Sequence, residues 1–150
     1  AGAAIAGDGE ITNVGIRIAM WRVTLDIVSS APFFGTGSGG FSMAYQAAAQ
    51  HYDGWWRTVS DDPHQQYLHI WAEYGLMGVF LFISAILKLI HRLFKETGPY
   101  ASISLVVLFI VSVTSLFNGH FSSFIEGRLL WIFLAMGLAS GLSYGKKQCP

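Results

Sequence analysis

The sequence predicts an all-α membrane protein: three transmembrane helices preceded by an outward-facing loop with amphipathic helices, together a fragment of a larger multi-spanning bundle. Hydrophobic residues make up 53% of the 150 and charged residues 12%, and the mean hydropathy is +0.47, beyond the usual soluble balance. The apolar residues are also clumped. Residues 101–117 and 129–144 carry no charge and 76–87 run uncharged up to Lys88, each stretch nearing the roughly 20 residues that cross a hydrocarbon layer. The cations then follow a membrane rule: Lys88, Arg92 and Lys95 come after the first stretch and Lys146 and Lys147 after the third. Three crossings put both clusters on one side, which the positive-inside rule makes cytoplasmic. A soluble core of three all-round apolar helices would need far more polar chain to cover it. The net charge of zero leaves no footprint for nucleic acid.

Taken in order, residues 1–12 read as a flexible N-terminal stretch or a truncated upstream segment. They lack the charged-then-apolar order of a signal peptide, and the chain reads as cut from something longer that does not act alone. Residues 13–73 form the outward loop. Within it 13–30 reads as a helix, capped by Thr12 or Asn13 and ended by Pro32. The glycine-rich turn Gly35–Gly40 leads to a short helix from Phe41 through Ala49, and an aromatic loop with Trp55 and Trp56 follows. Asp62-Pro63-His64-Gln65 reads as a helix start, with Asp62 as N-cap, Pro63 at the first helical position and Gln65 completing a capping-box variant. That helix continues through Gly75 and Gly78 into a span at 74–94. A cytoplasmic loop at 95–100, a span at 101–117, an outward loop at 118–127, a span at 128–144 and a cytoplasmic tail at 145–150 complete the chain. The single cysteine, Cys149, falls in that tail and allows no internal disulfide.

The polar residues of the outer loop are the candidates for chemistry. At about 100° per residue, Arg22, Asp26 and Ser29 share one face of the first helix, a solvated one. Arg17 falls about 140° away among Met20, Trp21, Thr24 and Val28, where an arginine is costly unless something anionic meets it. It is the preferred functional arginine, against the alternative that it snorkels to headgroups. In the first turn of its helix, His64 would meet free backbone N–H groups and the positive dipole end, which favour a neutral imidazole able to take a proton. A surface histidine of a capping turn is the equal alternative. His51, His69 and His91 have weaker cases. The five-residue spacing of His64 and His69 does not set two metal ligands on one helical face, so no metal site is expected. Gly35-Thr-Gly37-Ser-Gly39-Gly40 matches a dinucleotide fingerprint in form only, because no βαβ unit surrounds it. A tight turn whose N–H groups approach a phosphate or a sugar is the better reading. The loop from Asn118 to Arg128, with His120, either closes over a site or uses Glu126 and Arg128 as interfacial anchors with a local ion pair.

Arg17 with Met20-Trp21, then Ala31-Pro32-Phe-Phe-Gly35-Thr-Gly37-Ser-Gly39-Gly40-Phe41, then Asp62-Pro63-His64-Gln65-Gln66-Tyr67-Leu68 and Glu73-Tyr74-Gly75-Leu76-Met77-Gly78 resemble, in order and spacing, the O-antigen ligase family of bacterial inner-membrane glycosyltransferases. The resemblance covers roughly residues 13–80, and Gln65 stands where that family usually has Asn. It implies a metal-independent, inverting transfer of a glycan from undecaprenyl diphosphate to an acceptor hydroxyl at the periplasmic face, with no cofactor and no nucleotide. His64 would then activate the acceptor and Arg17 hold the departing diphosphate, for which a planar guanidinium suits. Arg22, Gly37, Gly39, Tyr67 and Glu73 would bind substrate. The implied partners are the undecaprenyl-diphosphate-linked glycan donor, lipid A-core or another hydroxyl acceptor, and the lipid bilayer.

Ligation of O-antigen to lipid A-core is the favoured activity within this family, with O-antigen polymerisation and protein O-glycosylation as alternatives. A non-catalytic transporter or structural subunit is the reading from another class. It would call for polar residues lining a path through the spans, where the second and third offer only Ser, Thr and Gly.

Overall fold

The computed structural model describes residues 13–52, 60–96, 98–121 and 124–145. The expectations for residues 1–12, for Trp55 and Trp56 and for the cytoplasmic tail lie outside the described residues. Among those described there are five helices and no strand: α1 Asn13–Ser30, α2 Phe41–Ala49, α3 Gln66–Phe94, α4 Pro99–Thr114 and α5 Phe124–Gly145.

The first two helices have the bounds that their breakers predict, Pro32 after one and Gly40 before the other. The third starts later than the Asp-Pro signal suggests. Gln65 is its N-cap, the side chain accepting from the Leu68 N–H, while Asp62 caps a turn ahead of the helix by accepting the His64 N–H at 2.7 Å. Within α3, Gly75 adopts φ 65°, ψ −168° and breaks the helix. Tyr67 and Phe82, fifteen residues apart and so about 22 Å apart along an unbroken helix, have ring centroids 6.0 Å apart. The break therefore folds the first turns of α3 back over the rest.

Two cores result. Val23, Ile27 and Val28 of α1, Phe41, Tyr45 and Ala49 of α2 and Ala72 of α3 form one. Leu93, Leu108, Leu130 and Leu134 form the other, where α3 beyond Gly75 meets α4 and α5. Small residues close the second: the buried Ser104 hydroxyl lies 2.7 Å from Tyr100 O and 2.5 Å from Phe133 O across the helix pair.

Among the described residues one helix, α3, is both long and apolar enough to cross a membrane, and only 6% of its most apolar stretch is buried within the chain. A core helix of a soluble protein would be mostly covered. Instead Met77, Phe80, Leu81 and Leu87 are each more than half exposed. Among the described residues α4 is an apolar helix shorter than that.

Candidate functional site

The C-terminal end of α4 gathers three segments. On α1, the Trp21 indole N–H donates to Pro63 O at 3.0 Å, and Met20 receives the Ser60 hydroxyl at 3.9 Å. The Ser60 hydroxyl, itself buried, donates to Asp62 O at 2.7 Å. Pro63 is fully buried, so the Met20-Trp21 pair works as a clamp on the chain just before His64. One turn earlier on α1, Arg17 Nη1 donates to Phe117 O at 3.1 Å, beyond the carbonyl end of α4, where a cation also meets the negative end of the helix dipole. The circuit closes through α3. Gln66 N–H donates to Ser115 O at 3.0 Å and the Tyr67 hydroxyl to Ser112 O at 2.7 Å.

His64 stands at the centre of this arrangement, exposed and at φ 53°. A left-handed backbone at a non-glycine residue is uncommon and costs about 1–3 kcal/mol, and it persists only where its surroundings over-determine it. The surroundings here are the Asp62 carboxylate on its N–H and the Trp21 clamp on the preceding carbonyl. The dipole argument for His64 does not carry over, because the residue lies ahead of the N-cap rather than in the first helical turn. Position, not helix electrostatics, is what the fold gives it.

Beside His64, a Cβ on Gly119 would come within 2.8 Å of Asp62 Oδ2, so the loop after α4 closes against the turn that holds the histidine. The next residue, His120, has its Nδ1 3.6 Å from Glu126 Oε1. The side-chain hydroxyls of Ser112 and Ser115 are buried without a hydrogen-bond partner at this junction.

The remaining candidates sit elsewhere. Thr36 and Gly37 N–H donate to Ala72 O and Glu73 O, both at 2.9 Å, and Leu76 and Met77 N–H donate to Pro32 O at 2.9 Å and Phe33 O at 3.4 Å. These four bonds serve groups that the break at Gly75 strips of helical partners. Gly39 N–H donates to Glu73 Oε1 at 3.0 Å, and the same oxygen lies 3.6 Å from His69 Nε2, whose ring packs on Phe41 at 4.8 Å. The glycine-rich turn thus gives its N–H groups to α3, so an anion would have to displace protein acceptors to reach Gly37 or Gly39. Arg22 hydrogen-bonds Tyr52, whose hydroxyl donates to Asp26. That carboxylate, with burial, raises the Tyr52 pKa above its usual 10.0 against the lowering by Arg22. So Arg17, His64 and Tyr67 are brought together, Gly37, Gly39 and Glu73 hold the bend, and Arg22 stands apart.

The family model for O-antigen ligase matches residues 2–83, more than half of the chain, taking in Arg17, Trp21, His64 and the whole of the joint between 32–37 and 72–77 but not α4 or the loop after it. The chain belongs to the O-antigen ligase family. Membership supports a membrane glycosyltransferase-like function. An uncharacterized protein of Haemophilus influenzae is similar, 30% identical over 90 residues that make up 59% of this chain, and the chain spans 23% of that relative's length. No solved structure matches.

Proposed function

We propose that this O-antigen ligase chain forms part of the reaction face of a glycosyltransferase of the bacterial inner membrane. The enzyme moves a glycan from undecaprenyl diphosphate to an acceptor hydroxyl on the periplasmic side, in the form of O-antigen ligation to lipid A-core. The observation that carries this reading is the circuit of hydrogen bonds around the outer end of α4, which keeps an exposed histidine and an exposed arginine at one end of an apolar bundle. In this reading the chain crosses the membrane three times, at 74–94, 101–117 and 128–144, with 13–73 and 118–127 outside and 95–100 and 145–150 inside.

The chemistry follows from the two side chains. His64 takes the proton of the acceptor hydroxyl as that oxygen attacks the anomeric carbon. The bond from this carbon to the diphosphate oxygen breaks on the opposite face, giving inversion. Arg17 meets the charge that develops on the departing undecaprenyl diphosphate. It has one donor on Phe117 O out of the five a guanidinium carries, and charge-assisted bonds of this kind are the stronger ones. Arg22 offers a second cation on the other side of α1, while Tyr67, Gly37, Gly39 and Glu73 serve the substrate by keeping α3 folded over the bundle.

The test uses the full-length protein with His64→Ala at normal membrane abundance. Removing a general base lowers the rate by roughly 10²–10⁴, so the lipopolysaccharide ladder is lost while long glycan accumulates on the lipid carrier. Core bearing a single repeat unit would instead identify a polymerase. An unchanged ladder would overturn the role of His64.

A further inference from the structure

We infer that the elbow formed by Pro32–Phe34 and Leu76–Met77 is a membrane-inserted anchor whose partner is the acyl-chain and headgroup boundary of the bilayer. The inference rests on α3 being a span. Phe34 is 81% exposed and Phe33 62%, an apolar pair at the tip of a turn with no charged residue from Ile27 to Gln50. The turn is not free to stand away from the span. Leu76 and Met77 donate their N–H groups to Pro32 O and Phe33 O, which sets the two phenylalanines level with the first residues of the apolar stretch. There Leu76, Met77, Phe80 and Leu81 are 48%, 55%, 65% and 63% exposed. The exposed apolar surface of the span therefore continues onto the turn without a step.

A second observation comes from the main chain. Backbone in lipid needs its polar groups satisfied internally, whereas a loop in water does not. Here the carbonyls of Ala31, Pro32 and Phe33 and the N–H groups of Gly35, Thr36 and Gly37 have protein partners, which leaves the Phe34 peptide at the tip to lie at the headgroup level, where water can meet it. Trp71 adds its indole N–H to Pro32 O at 3.1 Å, in the manner of an aromatic belt residue with an apolar body and a polar tip. Such an elbow ties the C-terminal end of α1 to the membrane surface, because α1 runs directly into it.

The test is nitroxide labelling of the full-length protein in phospholipid nanodiscs, with native cysteines replaced by serine. Labels go at Phe34→Cys, at Phe33→Cys as a second variant should the first fold poorly, at Leu76→Cys as the depth reference and at Leu87→Cys within the span. The expected result is relaxation at residue 34 dominated by oxygen rather than by a water-soluble nickel complex, at a depth within one helical turn, about 5 Å, of a label at Leu76→Cys. Nickel-dominated relaxation at 34 with Leu87 still in lipid overturns the anchor alone. Shielding of 34 from both reagents shows that protein covers the elbow and overturns it equally. A water-exposed Leu87 label would overturn the span itself.

Discussion

Replacing Gly75 by alanine tests the bend of α3 at its most constrained residue. At φ 65°, ψ −168° an L-residue bears about 1–3 kcal/mol of backbone strain. The new Cβ would also run into Phe33 C, Phe33 O and Phe34 N, main-chain atoms that no rotamer change moves aside. Relief requires 32–37 to part from 72–77, at the cost of the bonds from Thr36 to Ala72, Gly37 to Glu73, Leu76 to Pro32 and Met77 to Phe33. At about 1 kcal/mol net each these sum to about 4 kcal/mol, and the Thr36 hydroxyl bond to Ala72 O and the Trp71 indole bond to Pro32 O go with them, about 2 kcal/mol more; a continuous helix returns about 3 kcal/mol, from the Leu76-to-Ala72 and Met77-to-Glu73 bonds it restores and from alanine over glycine. Staying bent and straightening thus both cost about 3 kcal/mol, and at about 2–4 °C per kcal/mol the melting temperature of the full-length protein in detergent falls by roughly 6–12 °C. Gly37→Ala is the matched control. Its φ is +90° but a Cβ there meets nothing within 4 Å, leaving only the left-handed cost of about 1–2 kcal/mol. A Gly75→Ala protein that melts with wild type, or above Gly37→Ala, would refute the exchange of bonds as the basis of the bend.

Trp21→Phe keeps an aromatic ring but removes the bond to Pro63 O, costing about 1 kcal/mol. Because the clamp positions His64, transfer assays should show a lower kcat with little change in the KM for donor; a pure KM effect would contradict the clamp. Gly137→Ala puts a Cβ 2.8 Å from Ser104 Cβ and 2.9 Å from Leu93 Cδ2, so overpacking should destabilise α4 against α5 by about 1–3 kcal/mol, read by thermal unfolding, where no shift would show that the pair has room. The raised Tyr52 pKa, due first to its hydrogen bond with Asp26, contributes stability that is present below the unfolded tyrosine value near 10 and is lost as pH rises through the folded one. Asp26→Asn should therefore flatten the loss of thermal stability above pH 10, and parallel pH profiles for the two proteins would rule out the Asp26 contribution.

Local rules carried the sequence reading as far as local rules decide the structure. The bounds of α1 and α2 follow from Pro32, Gly40 and uninterrupted helix formers, and the uncharged run after Glu73 marks α3 as apolar. The start of α3 is not legible locally because its determinants are distant in sequence. Asp62 followed by Pro63 has the form of a cap and first helical residue, but Trp21 takes the Pro63 carbonyl and Ser115 the Gln66 N–H, so the helix begins after His64. The break at Gly75 is not legible locally either, for a similar reason. One glycine in a helical pattern costs little, and only Gly35, whose own Cβ would strike Glu73 and Gly75, makes the pair of glycines mutually necessary. At the site, Arg17 and His64 stood out as residue types in suitable segments, whereas Trp21 and Gln65 have roles visible only once their partners are placed.

The joint between 32–37 and 72–77 is made almost wholly by peptide groups. Peptide groups are the same whatever residue carries them, so in a saturation library Thr36, Leu76 and Met77 should accept many substitutions while Gly35 and Gly75 accept almost none. The two short segments then form a transferable cassette. Grafted together they would bring their bend to an unrelated pair of helices, and grafted singly neither would.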